Sequence, residues 1–462
     1  MATIIFDVIQ ATGHLNPSFK LAKKFQKQGH TVAYVSSQRC ENEIRLQGFD
    51  THDLYQLQIS TLQASQEAVR KKSFAFFKYI ARNSIGKIFR KYLKNLSVNL
   101  MERRFMMERI RKIVALKPDL VVVDSMIPLY RAVLYSAYGI NVVILQTMMS
   151  TTQAPTVPPL HSHLVPHYSQ LYLKLSQLSW RKYYFKRHIR KYWWKLIYFG
   201  SDSRTLSTNI IRKCEVSRDQ LDRRRVINMG LKGLYEVNLA PKELDFPRSY
   251  QNYEVLAGHA VDIDRVEPPL DSETEDLIND QSKPLIYCSL GTISTIHNSK
   301  SVYLLRKIIK AVAHQPWQVL LSTGSGIDIK KLGDIPSNVQ IHSTLPQLRI
   351  LRRADLMITH GGLNSIVECI LFEVPMIVCP LSNMWDQTGN AARVAYHNVG
   401  VRNNLHRKSA RTLTRKIEQA LQSNVLRESI AQMRKNIIAG DRHQEIADTI
   451  QRVVINNQKL AA

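Results

Sequence analysis

The sequence predicts an α/β protein made of two doubly wound, Rossmann-like domains in series, facing each other across a cleft. Three observations predict it. The chain has 462 residues, too many for one ordinary core, so two domains of roughly 200 residues each are expected. In the first half, short apolar runs alternate with helical patterns, as parallel strands joined by helical crossovers do. That alternation stops at an acidic stretch after residue 260 and then restarts.

Taken in order, ATIIFDVI reads as a first strand, QATGHLNP as the loop that ends it, SFKLAKKFQKQG as a helix closed by Gly29, and HTVAYVSS as a second strand. PDLVVVDSMIP, residues 118–128, reads as a buried strand with Asp124 at its C-terminal end, and GINVVILQT, residues 139–147, as the next. Residues 70–117 are instead long, helical and basic, and residues 181–195 set Tyr184, Phe185, Tyr192, Trp193 and Trp194 among basic residues. Such helices can turn their apolar side chains into a core, line an apolar pocket, or lie in a membrane interface. Residues 261–284 are acidic, contain Pro and hold few large apolar side chains, so they read as a linker. Five further apolar runs follow, at 285–292, 317–326, 339–346, 355–362 and 374–381, and 441–457 looks helical. The expected division is 1–260, a linker at 261–284, 285–440, and a terminal helix within 441–462.

The net charge is +27, and it is unevenly spread. Residues 1–250 carry 40 Lys and Arg against 17 Asp and Glu, whereas 251–462 carry 24 against 20; within 151–200 there are eight basic residues and no acidic one. Either the first half is drawn to an anionic surface, such as a membrane or an acidic or lipid-borne partner, or it presents a solvated basic face. The five cysteines, Cys40, Cys214, Cys288, Cys369 and Cys379, are scattered without a CxxC pair. This argues against a disulfide framework and a structural zinc site and fits a reducing compartment. The N-terminus lacks the basic flank and cleavage site of a signal peptide, and no run approaches the ~20 apolar residues of a membrane span. A cytoplasmic protein, soluble or peripheral on the membrane face, is expected.

The densest stretch is THGGLNSIVECILFEVPMIVCPLSNMWDQTGNAARV, residues 359–394. It reads as a strand ending at Thr359, a close turn over two glycines, and a helix beginning near Asn364 and Ser365. A helix start with small polar residues is a ready anion site, because its free N–H groups and its dipole both favour negative charge. His360 adds a donor, so a diphosphate fits there without a metal. Glu368, one turn further in, comes within reach of a ribose hydroxyl pair. Asp386 and Gln387, in the loop after the next strand, suit sugar hydroxyls.

Together with LPQLRIL, residues 345–351, this segment closely resembles the signature of family 1 glycosyltransferases, the UDP-sugar enzymes of GT-B fold that modify small lipophilic acceptors. Pro346, Gln347, His360, Gly362, Asn364, Ser365, Glu368, Pro375, Asp386 and Gln387 match it in order and spacing. The resemblance implies that His360, Asn364 and Ser365 meet the diphosphate, Glu368 the ribose, and Asp386 and Gln387 the sugar. CSLGT, residues 288–292, resembles the family's other phosphate-side turn, with Ser289, Gly291 and Thr292 as candidates. Thr344 stands where plant members carry a Trp that stacks on uracil, so stacking must come from elsewhere or be weaker.

GHLNP, residues 13–17, resembles the family's Gly-His-x-x-Pro loop, whose His is the catalytic base, and Asp124 matches its partner Asp. The chemistry agrees. A loop after the first strand lies at the sheet edge where open α/β folds bind ligands, and Pro17 suits the first position of the helix that follows. A His titrating near neutral pH can take the acceptor's proton, and a carboxylate behind it fixes the ring. The resemblance thus implies an inverting transfer of a hexose, with glucose the expected one, from a UDP-sugar to a hydroxyl of a lipophilic acceptor, with no cofactor, metal or nucleic acid. It assigns 1–260 to the acceptor and 285–440 to the donor, and brings the terminal helix back onto the first domain. Two alternatives stay open: a nucleotide-sugar epimerase of the same fold, and a non-catalytic basic scaffold binding membrane or nucleic acid. Asp262 and Asp264 could also be read as a metal-binding Asp-x-Asp, though they lie in the linker.

Overall fold

In the computed structural model, which describes residues 1–54, 106–167, 169–197, 203–291, 298–324, 326–382, 385–403 and 409–455, the apolar runs pair as parallel strands. The first half supplies β1 (Thr3–Asp7), β2 (Thr31–Ser36), β3 (Asp50–Asp53), β4 (Leu120–Asp124), β5 (Asn141–Gln146), β6 (Leu221–Asp222), β7 (Gly230–Leu231), β8 (Tyr235–Asn238) and β9 (Glu254–Leu256). Seven of these form one sheet in the order β3-β2-β1-β4-β5-β8-β9, and β6 and β7 pair separately. The second half supplies β10 (Leu285–Ser289), β11 (Gln318–Ser322), β12 (Val339–His342), β13 (Leu356–Thr359), β14 (Met376–Val378) and β15 (Val401–Arg402), in the order β12-β11-β10-β13-β14-β15. All pairings in both large sheets are parallel. Strands covered on both faces are built from near-continuous apolar residues, and LVVVD of β4 is buried throughout.

In each sheet the strand order reverses once, between β1 and β4 and between β10 and β13. Loops leave in opposite directions at such a point and open a crevice at the strands' C-terminal ends. Asp124 ends β4, Ser289 ends β10 and Thr359 ends β13, so the candidate residues lie at the two crevices. The helices used below are α1 (Thr12–Lys27), α2 (Gln170–Ile197), α3 (Ser272–Asn279), α4 (Gln347–Leu351), α5 (Leu363–Leu371), α6 (Gln387–Tyr396) and α7 (His443–Ile450).

The lobes are packed together. One buried cluster joins Met148, Met149 and Trp180 of the first lobe to Tyr287, Leu363 and Ile366 of the second. Arg393 of α6, 2% exposed, donates to Asp245 of the first lobe at 2.6 Å beneath the Phe246 ring. The terminal helix α7 packs on α1, and its Ile446, Ala447 and Ile450 enter the core built around Phe6, Phe19 and Phe25.

Three expectations are corrected. The GHLNP segment is helix and not loop: α1 starts at Thr12, with Ala11 extended before it. Pro17 therefore sits inside α1, past its first turn. Because Pro has no N–H, the carbonyl of Gly13 four residues back receives no helical hydrogen bond from position 17. The stretch read as linker contains α3, whose start Asp271 caps by accepting from the N–H of Thr274 at 2.8 Å; a carboxylate there serves the helix's free N–H groups. Most of the basic stretch 70–117 lies outside the described residues; its last part is helical at 106–115.

Candidate active site

The first crevice holds His14. His14, in the first turn of α1, points its Nδ1 at Oδ2 of Asp124, 2.7 Å away. Asp124 is fully buried, and its other oxygen accepts the backbone N–H of Met126 at 2.8 Å. A carboxylate held this way fixes the ring as the Nδ1–H tautomer and leaves Nε2 free to take a proton. Burial is the largest influence on His14 and lowers its pKa; the Asp124 charge and hydrogen bond, helped by Asp386, outweigh it and hold the group above its ordinary 6.5. Thr147, just past β5, places its hydroxyl 3.0 Å from the same Nδ1. It was not singled out in the sequence, although it ends the run next to the one that carries Asp124.

Beside this pair lies a concavity of about 450 Å³ lined by Asp124, Met126, Ile127, Met148, Ile227 and Met229, among others. It is open to solvent, and its walls are mainly apolar.

The second crevice is shaped by glycines. Gly291 and Gly361 both have positive φ, 65° and 92°, where an L side chain is strained. A Cβ on Gly291 would stand 2.4 Å from Cε1 of His360, and one on Gly362 would stand 2.8 Å from its Nε2. The imidazole is thus held between two backbone turns. Burial draws the His360 pKa down to about 4, against a weaker opposing hydrogen bond with the Ser289 backbone, so the ring is neutral at pH 7. Its Nδ1 is buried without a hydrogen-bond partner. Gly362 precedes α5, whose first turn is uncapped by any side chain; its N–H groups are available to an anion.

Around this turn the polar side chains are linked. Gln347 donates to Ser365 at 3.2 Å and also to Glu368. Glu368 is 2% exposed, and its other oxygen accepts from Arg265. Arg265 comes from the stretch read as linker, where sequence gave no signal for it. In that stretch Asp262 is engaged by Lys23 at 2.6 Å. Gln387 accepts the N–H groups of Leu381 and Ser382 at 2.9 and 3.1 Å, while its own Nε2 is buried without a partner. Asp386 accepts from Asn390 at 2.9 Å, and burial pushes its pKa up. Thr344 is exposed on the turn before α4, and Thr292 lies outside the described residues.

The two crevices meet. Asn364 of α5 donates to the carbonyl of Gly13 at 3.1 Å, the acceptor that Pro17 leaves without its helical donor. His14 and Asp386 influence each other's charge. The structure therefore brings together His14, Asp124, Asn364 and Asp386, and separately gathers Ser289, Gly291 and Gly362 around His360. Gly291→Ala is expected to displace His360 and lower stability, since strain of this kind costs on the order of 1–3 kcal/mol; thermal melting checks it.

A family model described as UDP-glucoronosyl and UDP-glucosyl transferase matches residues 18–449. The NDP-glycosyltransferase YjiC of Bacillus subtilis (strain 168) is 39% identical over 125 residues, 27% of this chain and 30% of that protein. A zeaxanthin glucosyltransferase of Pseudescherichia vulneris is 26% identical over 245 residues, 52% of this chain and 55% of that one. These matches thus span about a third to a half of the relatives' length. Among solved structures, the calicheamicin glycosyltransferase CalG4 superposes over 100% of both chains with a TM-score of 0.61 at 18% identity, which shows a shared GT-B fold. The chain belongs to the UDP-glucoronosyl and UDP-glucosyl transferase family of sugar-transferring enzymes.

Proposed function

We propose that this protein is an inverting, metal-independent O-glycosyltransferase that moves a hexose, glucose first among candidates, from a UDP-sugar to a hydroxyl of an apolar small molecule such as a polyketide, terpenoid or lipid. The observation that carries the reading is His14, its Nδ1 2.7 Å from a fully buried Asp124, beside an uncapped helix start whose Asn364 reaches the backbone of the same turn.

The donor lies with its diphosphate against the N–H groups opening α5, near the neutral His360 and the turn carrying Ser289 and Gly291. These dipoles offset phosphate charge without a cation. Glu368 meets the ribose while keeping Arg265 and Gln347, since a carboxylate can accept more than two hydrogen bonds. Asp386 and the free Nε2 of Gln387 hold the sugar. The acceptor occupies the apolar concavity beside Asp124. As its oxygen attacks the anomeric carbon, Nε2 of His14 takes the hydroxyl proton. The bond from that carbon to the β-phosphate oxygen breaks, UDP leaves with the electron pair, and the imidazolium rests against Asp124. Attack from the face opposite the nucleotide turns an α-linked donor into a β-glycoside.

The test is a screen of hydroxylated acceptors with UDP-glucose followed by mass spectrometry. A product heavier by one hexose, with UDP released only when acceptor is present, is expected, at the same rate in EDTA. Loss of activity in EDTA with recovery in manganese would overturn the metal-free part. The same reading places the enzyme in the cytoplasm, where nucleotide-sugars are made, with its basic first lobe suited to an anionic membrane face.

A further inference from the structure

Helix α2 has two faces of different character. Its inner face is fixed to the first lobe. Trp180 Nε1 donates to the Val157 carbonyl at 2.8 Å, Tyr184 bonds Gln153 at 3.1 Å, and the Tyr183 hydroxyl accepts the N–H of Ile227 at 3.1 Å. Its outer face carries Leu171, Leu175, Leu178, Phe185, Ile189 and Trp193, at steps of three, four and seven residues that keep them on one side of a helix. All six are exposed, Leu171, Phe185 and Trp193 by 67%, 66% and 62%. Such an apolar row on a surface marks a contact.

Charge identifies the partner. The helix holds eight Lys and Arg and no Asp or Glu. At 100° per residue, Lys174 and Arg181 fall along one side of the row, Lys186 and Arg190 along the other, and Lys182 within it. All five are exposed. A second copy packed on this row would bring five more cations against these five. A bilayer with anionic lipid instead meets the apolar row with its acyl boundary and the flanking cations with its headgroups.

We propose that the outer face of α2 docks the protein flat on an anionic lipid bilayer. The helix is 28 residues long, about 42 Å at helical rise, so the contact extends across much of the lobe. Its opposite face touches Ile227, which lines the concavity beside Asp124. A membrane-borne acceptor would have one helix thickness between bilayer and site. The docking itself goes beyond the catalytic reading and does not depend on it, because it is measured without turnover.

The experiment is cosedimentation of the full chain with vesicles of phosphatidylcholine alone or mixed with phosphatidylglycerol, at low and high salt. Wild-type protein is expected to bind the mixed vesicles at low salt, to leave them as salt rises, and to ignore the neutral ones. The triple variant Phe185→Ser, Ile189→Ser, Trp193→Ser is expected to bind at least tenfold more weakly. Lys182→Glu, Lys186→Glu, Arg190→Glu together should weaken binding by roughly 100-fold or more; these exposed changes remove no core packing, so the test survives if the serine variant folds poorly. Binding indifferent to lipid charge overturns the proposal, as does reversal-variant binding equal to wild type. A wild-type dimer that the serine variant converts to monomer also overturns it, because a second copy then covers the row. A His14→Ala protein that binds vesicles normally supports docking whatever becomes of the transfer reading.

Discussion

Replacing His14 by Ala is expected to lower kcat/KM for an alcohol acceptor by about 10³-fold, within the ~10²–10⁴ that a positioned general base contributes. The alanine also leaves Asp124 buried without its side-chain partner, which costs roughly 1–3 kcal/mol of stability. His14→Gln separates the two effects. A glutamine amide can still donate to Asp124 but cannot take a proton, so this variant should lose the same activity and keep most of the thermal stability. A phenolic acceptor, which ionises without help, should recover part of the rate in either variant. Near-wild-type transfer to an alcohol by a folded His14→Ala protein would refute the base assignment. Steady-state kinetics together with thermal melting decides it.

Asp124→Asn is expected to be nearly as damaging, with a signature of its own. Burial lowers the His14 pKa, while Asp124 and Asp386 raise it, and the net result lies above 6.5. The working base is the neutral ring, so kcat/KM should rise as pH climbs through that folded value and level off above it. Removing the Asp124 charge leaves burial less opposed, so the pKa falls and the acidic limb moves to lower pH. The asparagine can also turn its N–H toward Nδ1 and hold the wrong tautomer, for which a loss of about 10³–10⁴-fold is reasonable. An unmoved limb in a folded Asp124→Asn protein would mean that the carboxylate does not act through His14.

Legibility of these features in the sequence follows the distance between interacting residues. The turn at 359–365 is local: Thr359 ends β13 and Gly362 precedes α5, as the run of apolar and small polar residues predicts. His14 and Asp124 are 110 residues apart, yet each follows or ends a readable apolar strand, so a parallel sheet that reverses its order brings them together. Arg265 on Glu368 spans 103 residues and issues from a stretch with no regular pattern, and no local signal announces such a partner. β3, β8 and β9 carry no strand signal of their own, because DTHD is wholly polar and YEVN and EVL are short and mix polar with apolar residues; their strand pairing comes from neighbours in the sheet. On α2 the sequence shows aromatic residues among basic ones, but which side meets the core depends on Trp180, Tyr183 and Tyr184 finding partners elsewhere.

One of the contacts between the halves, the Asn364 amide on the Gly13 carbonyl, uses an acceptor that the helix itself leaves open at position 17. A residue other than proline at 17 would place a hydrogen where the amide of Asn364 now docks, and the visitor would have to share its socket. What is ordinarily counted as damage to a helix becomes here a reserved berth, one turn from the imidazole. One strand of the molecule's grip across its own gap is therefore written in the ring closure at position 17.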